Sequence, residues 1–164
     1  MSIPNFAFTC SKHFEGYSCC HRQWKHSGHC RFVHGYSRSF TFWFAAVELD
    51  EFGFVVDFSS LKPIQNMLSK QFDHTFLVNE DDPLLGTWKK LHNEEAIDLR
   101  IMKNVGMEST SKLIWEWANS VLLERDLGRT CCWRAQSNEN QYNSASFQLI
   151  PDWYKRNDLS KSFS

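Results

Sequence analysis

Five of the seven histidines in this 164-residue chain, His13, His21, His26, His29 and His34, fall within one short stretch. The run His21-x8-Cys30-x3-His34-Gly35-Tyr36 has the spacing of a metal or catalytic site. If the chain is extended at 34–36, those two side chains share a face, because the strand period is two. His21 can join them from the end of a neighbouring strand, 14–21. Three protein ligands with an open position for substrate would be the result. The same histidines also read as ordinary hydrogen-bonded side chains. Asp73-His74 is a second candidate. The carboxylate would orient the imidazole and raise its basicity, and if the pair faces Cys30 it would help form the thiolate; otherwise it is a cap or turn. Glu139 is a third. A buried carboxylate there could accept two parallel N–H bonds from an amino-substituted heterocycle, whereas an exposed one is simply solvated.

These residues need elements to position them. Residues 36–49 read as a half-buried strand with Phe40, Phe42 and Phe44 on one face, opposite Ser39, Thr41 and Trp43. The LDEFG turn follows, and FVVDF at 54–58 reads as the second arm of a hairpin. Ser59 or Ser60 can cap a helix that has Pro63 in its first turn and Leu61, Ile64, Met67 and Leu68 at helical spacing. A second helix is expected from Ser109 through Leu113, Ile114, Trp117, Val121 and Leu122, with Gly128 as its stop. CCWRAQ and SASFQLI are two further strands around the polar SNENQYN. The order strand, strand, helix, helix, strand, strand predicts an α+β fold, with two helices on one face of a four-stranded antiparallel sheet. The chain reads as one domain, 1–164, with an insertion at about 80–107. There Asp81 or Asp82 and Pro83 open a short helix and IDLRIM forms a short strand. The insertion reads as a surface feature, or as a partner-binding or lid segment.

Apolar residues make up 42% and charged residues 23% of the chain, a globular composition. The formal net charge of -1 gives no basic footprint for nucleic acid or an anionic membrane. No apolar run approaches the roughly 18–20 residues of a membrane span. The N-terminal residues lack the pattern of a secretory signal, so a cytoplasmic location is expected. Four of the six cysteines are the vicinal pairs Cys19-Cys20 and Cys131-Cys132, a poor disulfide framework. With Cys10 they read as reduced core or strand fillers.

Taken together, the motifs resemble those of the 6-pyruvoyltetrahydropterin synthases and 6-carboxytetrahydropterin synthases. YSCCHR is similar to the family's F-x-A-A-H-R strand end, and CRFVHGYS to C-x3-H-G-H-S. LDEFGFVVDFSSLK is similar to D-x-x-G-[MFW]-[VI]-[VI]-D-F-x-x-L-K, FDHTFLVN to L-D-H-x-x-L-N, and STSK to P-T-S-E with Lys112 in place of the acid. The spacing of Glu139 to Ala145 and Phe147 follows the family's C-terminal motif. The resemblance implies a T-fold, assembled through its sheets into a barrel, usually a hexamer built as a dimer of trimers. It implies Zn2+ on His21, His34 and the Tyr36 position, with Cys30, Asp73 and His74 catalytic and Glu139 and Thr110 binding the pterin. The gap between Cys30 and His34 is closer to the carboxy branch. That implies a lyase acting on 7,8-dihydroneopterin triphosphate in queuosine-precursor synthesis. The alternatives are a pyruvoyl-type triphosphate elimination and a non-catalytic pterin- or purine-binding protein. Tyr36 stands where the family has histidine. It ligates as phenolate, or His26 or His29 replaces it, or the metal is weak or absent.

Overall fold

The computed structural model describes residues 6–154. Two long strands, β1 (Phe8–His21) and β2 (His34–Ala46), pair antiparallel and form the spine of the sheet. Their register breaks between Phe14 and Tyr17, where Gly16 takes a left-handed conformation, φ 88°, and lets the strand bulge. β5 (Thr130–Asn138) adds to β2, and β6 (Ser144–Gln148) to β5, all antiparallel. A four-stranded antiparallel sheet is therefore present, with β1 rather than FVVDF as its fourth strand, and it is not the whole sheet. β3 (Thr75–Asn79) lies parallel to β1, and β4 (Leu99–Met102) parallel to β3, giving the order β4-β3-β1-β2-β5-β6.

The alternation read in β2 holds. Phe40, Phe42 and Phe44 are fully buried, while Ser39, Thr41 and Trp43 on the other face are only partly so. Full burial of each phenylalanine contributes about 2 kcal/mol. Helices α1 (Lys62–Phe72) and α3 (Met107–Asp126) cover that face through Ile64, Leu68, Phe72, Ile114, Ala118 and Leu122. Helix α1 has Pro63 in its first turn, as expected. The caps differ from those expected. The turn before α1 is capped by Asp57, whose carboxylate accepts from the Ser59 N–H and hydroxyl, and α3 starts at Met107, so Ser109 lies inside it.

The hairpin expected from 36–49 and FVVDF does not form. β2 ends at Ala46, and 54–57 is an irregular segment held by side chains. Asp50 accepts from the N–H groups of Phe52 and Phe54, and Thr130 donates to the Val55 carbonyl. Val55 and Val56 are buried in the core without joining the ladder.

The insertion at 80–107 has the expected helix, α2 (Leu85–Asn93), and strand β4. No residue of α2 is fully buried, yet the segment packs on the sheet. Phe76, Val78 and Leu99 form a small core with Leu85, Trp88 and Ile97, so β3 is buried on both faces. Side chains that follow His21 stitch this unit to the end of β1. Arg22 forks onto Asp82 through Nε at 2.8 Å and Nη2 at 3.0 Å, Gln23 bonds Asn79 and Asn104, and Trp24 and Lys25 both bond Asp81. Asp82 is inaccessible to solvent in that pair. Arg22→Ala would leave its carboxylate buried and unpaired, and is expected to cost about 3 kcal/mol in urea unfolding. The double change Arg22→Met with Asp82→Leu should recover most of that. A loss below about 0.5 kcal/mol for the single change, the range of ordinary surface substitutions, would show the stitch to be ornamental.

Candidate functional site

The register of β1 against β2 sets His21 directly opposite His34, and Cys19 opposite Tyr36. The two imidazole rings lie 4.5 Å apart, and the Tyr36 ring meets His34 edge-on at 5.7 Å. Gly35 between them is required by space. A Cβ there would come within 2.9 Å of the Cys19 carbonyl oxygen, so any side chain would push the two strand ends apart. Glu139 arrives from the end of β5, in a tight loop closed by its N–H on the Asn143 carbonyl and by Asn140 on the N–H groups of Tyr142 and Asn143. Nitrogens of His21 and His34 and a Glu139 oxygen all lie within 4.8 Å of one another, a group of three potential metal ligands among the described residues.

One member of this cluster escaped the sequence reading. Arg38 is fully buried and donates from Nη2 to His21 Nδ1 at 3.1 Å. Its Nε and Nη1 have no hydrogen-bond partner among the described residues. The signal was available, since Arg38 has the same parity as His34, Tyr36 and Phe40 and so faces the core. Burial lowers the basicity of the guanidinium, and the nearby Cys19 and Glu139 oppose that shift. His21 is pushed down to about 3 by burial, then by Arg38 and His34, so its ring is neutral.

A zinc ion asks each imidazole for a lone pair. His34 can supply one, because its Nδ1 donates to the Phe32 carbonyl at 2.7 Å and leaves Nε2 free. His21 cannot, because Arg38 occupies the Nδ1 lone pair and the ring proton is therefore on Nε2. Tyr36 would have to lose a phenolic proton whose ordinary pKa is about 10. A dication in this group would also stand beside the Arg38 guanidinium and meet its like charge. The donors are gathered, but as arranged they do not fit zinc.

The remaining candidates lie outside this group of three. His74, in a left-handed conformation with φ 55°, bonds Asp73 through Nδ1 at 2.9 Å. It lines an open cleft of about 550 Å³ together with Cys19, Cys20, Tyr36, Thr75 and Asp98. Cys30 is exposed on a short turn, 29–31, and no hydrogen bond links it to Asp73 or His74. His29 is in the same turn, and His26 accepts from the Gly28 N–H. Thr110 is fully buried in α3, its hydroxyl unpaired among the described residues. Of the five cysteines read as fillers, Cys19, Cys131 and Cys132 are buried, while Cys10 and Cys20 are only partly so. Cys131 and Cys132 are fully buried, with the Cys131 thiol pushed up to about 12, and Cys19 is pushed up to about 11, in each case chiefly by burial.

Comparison with known proteins gives this arrangement a context. The family model described as 6-pyruvoyl tetrahydropterin synthase matches residues 9–149. A curated relative from Rickettsia conorii, named 6-carboxy-5,6,7,8-tetrahydropterin synthase, is 30% identical over 78 residues, 47% of this chain and 56% of the relative. One of the same name from Rickettsia bellii is 27% identical over 89 residues, 54% of this chain and 64% of the relative. The chain thus spans between half and two thirds of the length of the curated relatives it matches. Among solved structures, an uncharacterized protein from Wolinella succinogenes superposes with a TM-score of 0.73 at 19% identity, covering 87% of this chain and 98% of that one. The 6-pyruvoyl tetrahydropterin synthase of Caenorhabditis elegans gives 0.59 at 17% identity, covering 87% and 96%. The fold is the T-fold of these proteins, and with the family match running from β1 through β6, the chain belongs to the 6-pyruvoyl tetrahydropterin synthase family.

Proposed function

We propose that the chain is a pterin-processing lyase of the 6-carboxytetrahydropterin synthase type, acting on 7,8-dihydroneopterin triphosphate. The observation that carries this reading is the placement of the Asp73–His74 pair. His74 lines a cleft whose wall includes Tyr36, and the Tyr36 ring packs on His34 of the His21–His34–Glu139 group. The names of the Rickettsia relatives point to a pterin product, and the substrate is the one that the motif resemblance implies.

Each residue has work suited to its chemistry. Asp73 accepts the Nδ1–H of His74, which orients the ring and leaves the Nε2 lone pair available as a base. That nitrogen takes a proton from the substrate side chain and can return it. Cys30, exposed on its turn, is the second proton-transferring group. Glu139 offers two acceptor oxygens to the amino and ring N–H groups of the pterin, fixing the reacting carbons. Zinc dependence of the family type would require Arg38 to release His21, so no step here passes through a metal. The sheet ends in β4 on one side and β6 on the other, and open edges of this kind are paired or covered in stable proteins. A closed, trimer-based oligomer is the assembly proposed. Among the described residues no helix is long and apolar enough to cross a membrane.

A second reading is a pterin-binding protein without turnover, favoured by Tyr36 and by the capped His21. Turnover separates the two. Purified protein incubated with 7,8-dihydroneopterin triphosphate should release a modified pterin, detected by chromatography and mass spectrometry. Cys30→Ala and His74→Ala should each lower kcat by about a hundredfold or more, while Glu139→Gln should act mainly on KM. Cys10→Ala, as a control, should change stability more than rate. Binding without product would leave the second reading standing. In light scattering at micromolar concentration, a multiple of three subunits is expected, and a strict monomer would contradict the assembly.

A further inference from the structure

We propose that Arg38 is a resident cation in the His21–His34–Glu139 cluster, occupying with its guanidinium the role that a divalent metal would otherwise fill. The inference deepens the functional reading above and rests on it only where turnover is concerned.

Cations of both kinds are held by lone pairs. A neutral imidazole has one, and that of His21 is already directed at Arg38 Nη2 over 3.1 Å. Arg38 and a metal therefore compete for the same electrons, and Arg38 has the advantage of being covalently in place. The arginine does not release a proton to make room. It is also not a surface residue that strays inward. β2 alternation fixes its direction, Tyr17 stands opposite it on β1, and the side chain has no exposure to solvent.

Nε and Nη1 are the second, independent observation. Two buried donors without acceptors among the described residues are rare in native proteins, and they mark a place where an acceptor is due. Glu139, a carboxylate of the same cluster, acts on this guanidinium through its charge without accepting a hydrogen bond from it. The site thus sets one bonded acceptor, His21, and one carboxylate of the same cluster beside a planar donor that still has two donors to give. Tyr36 fits the same change. A cluster built around a guanidinium has no use for a third imidazole lone pair, and the phenol ring instead packs edge-on against His34. Where a metal site offers a ligand oxygen an empty coordination position, this one offers the Nε2–H of His21, backed by a fixed positive charge.

The test uses the whole protein and zinc itself. Wild type, Arg38→Met and Arg38→Met with Tyr36→His are dialysed against zinc in the presence of a chromogenic chelator, and metal per chain is measured. Wild type is expected to exclude zinc. Arg38→Met should bind it about ten- to a hundredfold more tightly than wild type, and the double variant tighter still, approaching one ion per chain. Should Arg38→Met fail to fold, wild type carries a second test. Nitrogen-15 NMR of its imidazoles should show the His21 proton on Nε2, and removal of metal with a chelator should leave the melting temperature unchanged. Stoichiometric zinc in wild type, a His21 proton on Nδ1, or a lowered melting temperature after chelation would each overturn the proposal. Absence of pterin turnover together with zinc exclusion and the expected tautomer would refute the proposed function alone. Turnover that disappears on chelation would refute the resident cation alone.

Discussion

The pairing of β1 with β2 is the constraint on which the rest depends. Along its length it buries Phe40, Phe42 and Phe44 against α1 and α3, and at its far end it sets His21 across from His34. Strand geometry repeats every two residues, so a slip of one would turn the phenylalanines toward solvent and carry the histidine pair to the opposite face. The core therefore locks the register that the site needs. Gly16 absorbs the extra length in β1, and Gly35 allows the strand ends to close over the Cys19 carbonyl.

That same inward face ends in a polar patch. From Phe44 to His34, alternate residues run from aromatic, through Arg38, to Tyr36 and His34. A guanidinium at the boundary is poorly solvated, and burial is the largest influence on it. Its company of a neutral His21 and an anionic Glu139 is what makes the position tolerable. The cluster is held by hydrogen bonds and charge, where a bound ion in its place would be held by coordination.

Much of this was legible from residue order. The phenylalanine alternation, the helical spacing of Ile64 and Leu68, and Pro63 all report local physics, and local physics decided those elements. FVVDF was misread because its composition suits a strand, yet Asp50 and Thr130 satisfy the backbone around it and leave Val55 and Val56 packed without a partner strand. TFLVN gives no alternation because both of its faces are covered, so its parallel pairing with β1 could not be seen in the pattern. At the site, the approach of Glu139 to the histidines depends on β5 adding beside β2, a contact between distant segments. Strand parity alone places Arg38 on the inward face, although arginine is seldom a core residue.

The stitched connection after His21 has a dynamic consequence. Proteins open locally in cooperative units, and a unit is defined by which contacts must break together. Arg22, Gln23, Trp24 and Lys25 are all bound to residues between Asn79 and Asn104, one peptide away from a histidine of the cluster. The α2–β4 unit cannot swing away while those contacts hold, nor can the chain leaving β1 fray alone. Amide hydrogens of β3, β4 and the last residues of β1 should then exchange with solvent as one foldon, so that the site and the segment beside it share a single opening free energy.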